Sequence, residues 1–96
     1  MIFINKNSVL GSKKFTLELA NSIRQDLQAC LNADDFEDFE LDLMQNMVHF
    51  GEFSKQDFNT VFDIIRQQDN LDKDWQKKLV EQMKQDERFE PKTPVD

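Results

Sequence analysis

The chain contains few of the residues that interrupt regular secondary structure. Among its 96 residues there are two glycines and two prolines, and both prolines, Pro91 and Pro94, lie in the last six positions. Gly11 and Gly51 fall where the apolar periodicity is interrupted. Because glycine and proline are the strongest local breakers, the long intervals between them are free to be helical.

Residues that usually carry chemistry are also scarce. Cys30 is the single cysteine, which excludes an internal disulfide, and its place in an apolar stripe predicts that it is buried. His49 is the single histidine, so there is no recognisable metal cluster. The acidic stretches DDFEDFELDLMQ and DNLDKDWQKKLV lack the glycine and final glutamate of a calcium loop. With no nucleophile motif and no phosphate loop, we expect neither an enzyme nor a cofactor.

Long apolar runs and an excess of bases are missing as well. No run approaches the ~20 residues that cross a bilayer, and MIFINK places apolar residues before its first base, the reverse of a signal peptide. We therefore expect a cytoplasmic protein. A net charge of -7 argues against direct binding of nucleic acid or of anionic membranes.

The chain does have enough apolar and aromatic residues for a modest core. Hydrophobic residues make up 39%, with nine phenylalanines and one tryptophan, whereas a disordered acidic chain would lack these aromatics. A length of 96 residues predicts a single domain spanning 1–96.

Apolar spacings of three and four residues predict four helices, at about 12–31, 35–50, 54–68 and 72–87. Ser54 is expected to cap the third helix, and Gly51 to end the second in the left-handed conformation. The arm Met1 to Ile4 could form a strand or pack on the helices; since no partner strand is visible, we expect packing. The fold class is therefore all-α, a compact four-helix bundle-like domain with a short N-terminal arm and a frayed tail at 88–96.

The acidity of the chain is concentrated in the segment Asp34 to Asp42, which contains six carboxylates and no base. Asp35, Asp38 and Asp42 have the spacing i, i+3, i+7 and are predicted to share one helical face. Such a run is either a solvated face helped by the helix dipole or a surface that meets a basic partner. The candidate partner-binding residues are Asp34, Asp35, Glu37, Asp38, Glu40 and Asp42.

The segment MQNMVHFGEFSKQDFNTVFDII contains HFGEF, His49 to Phe53, at the corner before a helix with inward apolar residues. This corner and helix resemble small helical immunity proteins of bacterial contact-dependent growth inhibition and polymorphic-toxin systems. The resemblance implies binding and neutralisation of a cognate toxin, often a nuclease. It carries over the kind of function and no individual site residue.

We therefore expect an immunity or inhibitor protein that docks its acidic second helix on the basic surface of a nuclease toxin. Two alternatives stay open. One is a structural or regulatory module that self-associates through Leu41, Met44 and Val48, and the other is a phage-encoded inhibitor of a host defence nuclease. The identity of the partner, the mode of occlusion, the oligomeric state and the role of the arm are left open as well.

Overall fold

A computed structural model of the chain describes residues 1–5 and 8–90. It is mostly helical, which confirms the coarse expectation. The four helices are α1, Lys13–Cys30; α2, Ala33–Leu43; α3, Lys55–Arg66; and α4, Lys73–Lys84. Three short strands complete the described elements: β1, Ile2–Asn5; β2, Ser8–Leu10; and β3, Val48–His49.

The helices begin where side chains can satisfy their first free N–H groups. Ser12 Oγ accepts from the Phe15 N–H at 3.0 Å at the start of α1, and Asp72 Oδ1 accepts from the Trp75 N–H at 3.1 Å at the start of α4. Ser54 caps α3 as predicted. Terminal positions of α1, α3 and α4 lie within three residues of those expected.

The helices bury one apolar face each in a common core. α1 packs against α2 and α3, and α3 packs against α4. The largest fully buried side chains come from the helices, from β1 and from the segment after β3: Phe15, Phe39, Phe50, Phe58, Ile2, Ile4, Leu19, Ile23, Leu27, Ile65, Leu79 and Met83. Burial of these apolar side chains is the main term that favours the folded state.

The expectation that the N-terminal arm has no strand partner is wrong. β1 is the central strand of a three-stranded sheet with the order β2-β1-β3. It pairs antiparallel with β2 and parallel with β3, where Ile2 lies opposite Val48. The alternation of a strand places Ile2 and Ile4 in the core and leaves Phe3 half-buried on the other face. The sheet was missed because β3 lies inside the segment predicted to be the second helix.

α2 ends at Leu43 and does not continue to Phe50 as expected. Asn46 adopts a positive φ of 59°, which asparagine tolerates, and the chain turns there to deliver Val48 to β1. The left-handed residue is thus Asn46, not Gly51. Gly51 serves another purpose, because a Cβ on it would lie 2.4 Å from Cε1 of His49.

Two further expectations need correction. Cys30, at the end of α1, is exposed and not buried, because the buried stripe of α1 passes from Leu27 to Leu31, four residues later, and leaves Cys30 on another face. The tail was expected to fray from residue 88, but Arg88 donates to the carbonyls of Ile4, Phe50 and Phe53 at 2.6 to 3.0 Å. Residues 91–96 of the predicted tail lie outside the described residues.

Candidate interaction surface

The six carboxylates of α2 lie in four different environments. α2 begins after Asn32, whose Oδ1 accepts from the Asp35 N–H at 2.8 Å. From this fixed start, the helical repeat of 3.6 residues directs each later side chain to the interior, to α1, to the sheet or to solvent. The sequence pattern alone treats the six as one group, whereas the fold separates them.

Asp35 points inward and is only 7% exposed. Its Oδ2 accepts from the backbone N–H of Ser54, the N-cap residue of α3, at 3.4 Å. In return, Oδ2 of Asp57 accepts from the Asn32 N–H at 3.3 Å. In a capping box, the side chain of the third helical residue accepts from the backbone N–H of the N-cap residue of the same helix. Here Asp35 of α2 accepts from the N-cap residue of α3, and Asp57 of α3 accepts from the N-cap residue of α2. Each acid therefore stabilises the start of the other helix.

This exchange brings two buried carboxyl groups together. The pKa of Asp35 is raised above its ordinary value, first by burial and then by its hydrogen bond and charge interaction with Asp57; the hydrogen bonds from Ser54 and Asn32 act in the opposite direction. Asp57 is itself only 6% exposed. Asp35 was expected to face a partner, but in the described fold it is an internal structural residue.

Glu40 and Asp42 also have neighbours within the chain. Arg24 of α1 donates to Oε2 of Glu40 from Nη2 at 2.5 Å and from Nε at 3.2 Å, so a base from another helix offsets this acid. Asp42 is half-buried, and this burial is the main reason that its pKa is raised above the ordinary value. The charge interaction with the nearby His49 lowers the pKa in part. His49 stacks on Phe3 with ring centroids 5.4 Å apart.

The remaining three acids, Asp34, Glu37 and Asp38, are exposed. Their spacing of i, i+3 and i+4 places them on one face of α2, and no ion pair among the described residues involves them. We call these three residues the acidic ridge. Of the three residues expected to share a face, only Asp38 belongs to it.

The acidic ridge continues into exposed apolar side chains. Leu41 follows Asp34, Glu37 and Asp38 at i+7, i+4 and i+3, and Met44 lies one turn further at the C-cap of α2. Leu41 is 52% exposed and Met44 is 81% exposed. Another large exposed hydrophobic residue, Met1, lies beside the turn after α2, where its carbonyl accepts from the Val48 N–H at 3.0 Å. We call Leu41 and Met44 the apolar end of the ridge.

Leu41, Met44 and Val48, the apolar face suggested for self-association, do not lie together on one exposed surface. Leu41 and Met44 are accessible, but Val48 is fully buried in β3. The sequence pattern had grouped the three because it extended the helix through residue 50. The turn at Asn46 removes Val48 from that face.

In residues 1–5 and 8–90, no three His, Cys, Asp or Glu side chains are grouped to hold a metal ion. A cavity of about 430 Å³ lies beside α3 and the end of α4, where Phe62 and Phe89 form an apolar wall and Arg66, Lys84 and Glu90 supply charges of both signs. This mixed lining does not point to one class of ligand. Across the same described ranges, no helix combines the length and apolar character that a bilayer crossing requires.

Comparison of the chain with protein-family models, curated proteins and solved structures finds no match.

Proposed function

We propose that the protein is a non-catalytic inhibitor that binds a basic protein through α2, and that it acts as an immunity protein against a nuclease toxin of a bacterial growth-inhibition system. The observation that carries the proposal is the acidic ridge, three exposed carboxylates on one helical face with no ion pair to another described residue. The bundle-like helical scaffold and a cytoplasmic location, where such a toxin would be met, belong to the same proposal.

The charge distribution supports a basic macromolecular partner. Like charges three and four residues apart on a helix cost tenths of a kcal/mol per pair, so the ridge opposes folding slightly. A helix dipole compensates acids in the first turn only, which accounts for Asp34 and leaves Glu37 and Asp38. A single-sign surface accelerates encounter with an opposite surface and discourages like-charged competitors.

Inhibition would occur by occupation of the partner's substrate groove or of an adjacent surface. A nuclease groove carries the cationic side chains that neutralise phosphates. The Cβ atoms of Glu37 and Asp38 each lie about 5–6 Å from that of Asp34, the spacing of helical residues three and four apart. The ridge therefore presents closely spaced carboxylates that could occupy such a groove in place of phosphates. A phage-encoded inhibitor of a host defence nuclease would use the same mechanism on a different target.

The test is recovery of the partner followed by inhibition. The tagged chain is expressed in its source cells, and bound proteins are eluted with NaCl rising from about 50 mM to about 500 mM, since screening weakens exposed charge contacts over this range. A basic protein that elutes with salt and whose nuclease activity is abolished at equimolar inhibitor is the expected result. If no basic protein elutes with salt, or if a purified one keeps full activity with excess inhibitor, the proposal is wrong.

A further inference from the structure

The exposure of Leu41 and Met44, the apolar end of the ridge, is not explained by attraction between opposite charges. Single exposed hydrophobic residues are normal on protein surfaces. Here, however, the three large exposed hydrophobic residues within 1–5 and 11–90, the ranges whose side-chain burial the structure describes, all lie at the C-terminal end of α2 or beside the turn that follows it: Met1, Leu41 and Met44. An apolar patch bordered by polar residues is the usual anatomy of an interaction surface.

We infer that Leu41 and Met44 anchor the partner, and that the partner presents an apolar pocket bordered by lysine or arginine side chains. This inference rests on the proposed function and adds the chemistry of the recognised surface. The acidic ridge and the apolar end lie on one face of α2, so a single docked surface would meet both. Methionine adapts its shape to irregular pockets, and Met44 at 81% exposure has little packing of its own to lose on binding.

Charge selects this occupant over a second copy of the chain. Two copies that met through their apolar ends would also bring their acidic ridges and their net charges of -7 together, and like-charge juxtaposition disfavours such contacts. The same repulsion acts between the ridge and an anionic membrane. A cationic protein with an apolar pocket satisfies both parts of the surface at once.

The two parts of the surface have different expected roles. Exposed charges chiefly set the association rate and its salt dependence, whereas desolvated apolar anchors near the centre of an interface chiefly set the dissociation rate. Asp35 and Glu40, which are held by Ser54 and Arg24 within the chain, are not expected to contribute directly.

The test uses two defined peptides of equal positive charge, one built of lysine and leucine and the other with every leucine replaced by serine. Each is titrated into the ¹⁵N-labelled chain while backbone amide shifts are followed by NMR. We expect saturable shifts concentrated at residues 34–45 with both peptides, and about tenfold tighter binding of the leucine peptide. The double variant Leu41→Ala, Met44→Ala should lose this tenfold preference and keep its affinity for the serine peptide. Gln45→Ala, an exposed neighbour on α2's C-terminal side, is the control.

The outcomes separate this inference from the proposed function. If the leucine peptide keeps its preference in the double variant, the inference is overturned while charge-driven docking on α2 stands. If neither peptide perturbs residues 34–45, both proposals fail. Analytical ultracentrifugation of the protein alone tests whether a second copy binds to the apolar end. If the wild type is a dimer and the double variant is a monomer, the apolar end binds a second copy and the inference is overturned.

Discussion

Asp35 allows the clearest separation of structural from functional acids in α2. We compare the substitutions Asp35→Asn and Asp35→Ala, both of which remove the carboxylate. Asparagine keeps a side-chain oxygen that can accept from the Ser54 N–H, whereas alanine leaves this donor without its partner. This hydrogen bond is part-buried and Ser54 itself is exposed. A hydrogen bond contributes about 0.5–1.5 kcal/mol, so the alanine variant should be less stable than the asparagine variant by about that amount at pH 7.

The pH dependence of the same variants has a defined sign. Because the pKa of Asp35 is raised above 3.8 in the folded state, the folded carboxyl binds its proton more tightly than the unfolded one. Its contribution to stability is therefore full below pH 3.8 and is lost as pH rises through the folded pKa. The free energy of unfolding of the wild type minus that of Asp35→Asn should fall as pH rises above about 4.

The assay is urea unfolding followed by the fluorescence of Trp75, repeated at pH values between about 3.5 and 7.5. Asp34→Asn, a substitution at the exposed neighbouring acid, is the matched control and should change the free energy of unfolding by under about 1 kcal/mol. Equal stability of Asp35→Ala and Asp35→Asn at pH 7 would refute the exchange of caps between α2 and α3. A difference between wild type and Asp35→Asn that does not vary with pH would refute the burial of the Asp35 carboxyl beside Asp57.

Three further predictions concern the scaffold that positions α2. Arg88→Met removes the charged partner of the buried Asp86, which keeps the hydrogen bond from the Asn5 side chain, and should lower the free energy of unfolding by about 3–5 kcal/mol, measured by urea titration. The loss should shrink as the pH is lowered, because the pKa of Asp86 is held low in the folded state chiefly by Arg88. Gly51→Ala should lower the free energy of unfolding by about 1–3 kcal/mol because the new methyl group would clash with the His49 ring. The same substitution should cost much less in a His49→Ala background. If it costs the same in both backgrounds, the proposed clash is wrong. Ser54→Ala should cost about 1 kcal/mol in thermal unfolding, and an unchanged melting temperature would show that this cap is not needed.

Local signals made three of the helices predictable. The stripe from Phe15 to Leu27 and the cap at Ser54 are properties of a few adjacent residues, and the structure places α1 and α3 within two residues of the expected bounds. Asp72 and the apolar positions after it define α4 in the same way, although its end at Lys84 comes earlier than expected. These elements need no knowledge of distant parts of the chain.

The sheet and the separation of the acids depend on distant contacts. Val48 is recruited to β1 by pairing with Ile2, 46 residues earlier, and this pairing competes successfully with helix formation in an apolar segment that has suitable periodicity. Asp35 is buried because its acceptor oxygen meets the Ser54 N–H, which no pattern within α2 reveals. The asparagine at position 46 is the local signal that could have indicated the turn, since asparagine is among the few residues that readily adopt the positive φ found there.

The same distant contacts change which acids can serve as a binding surface. The sequence favoured Asp35, Asp38 and Asp42 from their spacing alone. The fold leaves Asp34, Glu37 and Asp38 exposed and unpaired among the described residues, next to Leu41 and Met44. A functional test by charge reversal at Asp35 would therefore report on folding and not on partner binding.

The affinities of charge-matched variants for the partner decide whether the protein docks through α2. One variant neutralises the acidic ridge with Asp34→Asn, Glu37→Gln and Asp38→Asn, and the other neutralises three exposed acids outside α2 with Asp69→Asn, Asp74→Asn and Glu87→Gln. Both carry the same net charge, so their dissociation constants for the purified basic partner, measured by calorimetry at low and high salt, differ only through the position of the charges. We predict that the ridge variant loses at least about tenfold in affinity at low salt and most of its salt dependence, while the control stays close to wild type. Equal losses in the two variants would contradict docking through α2.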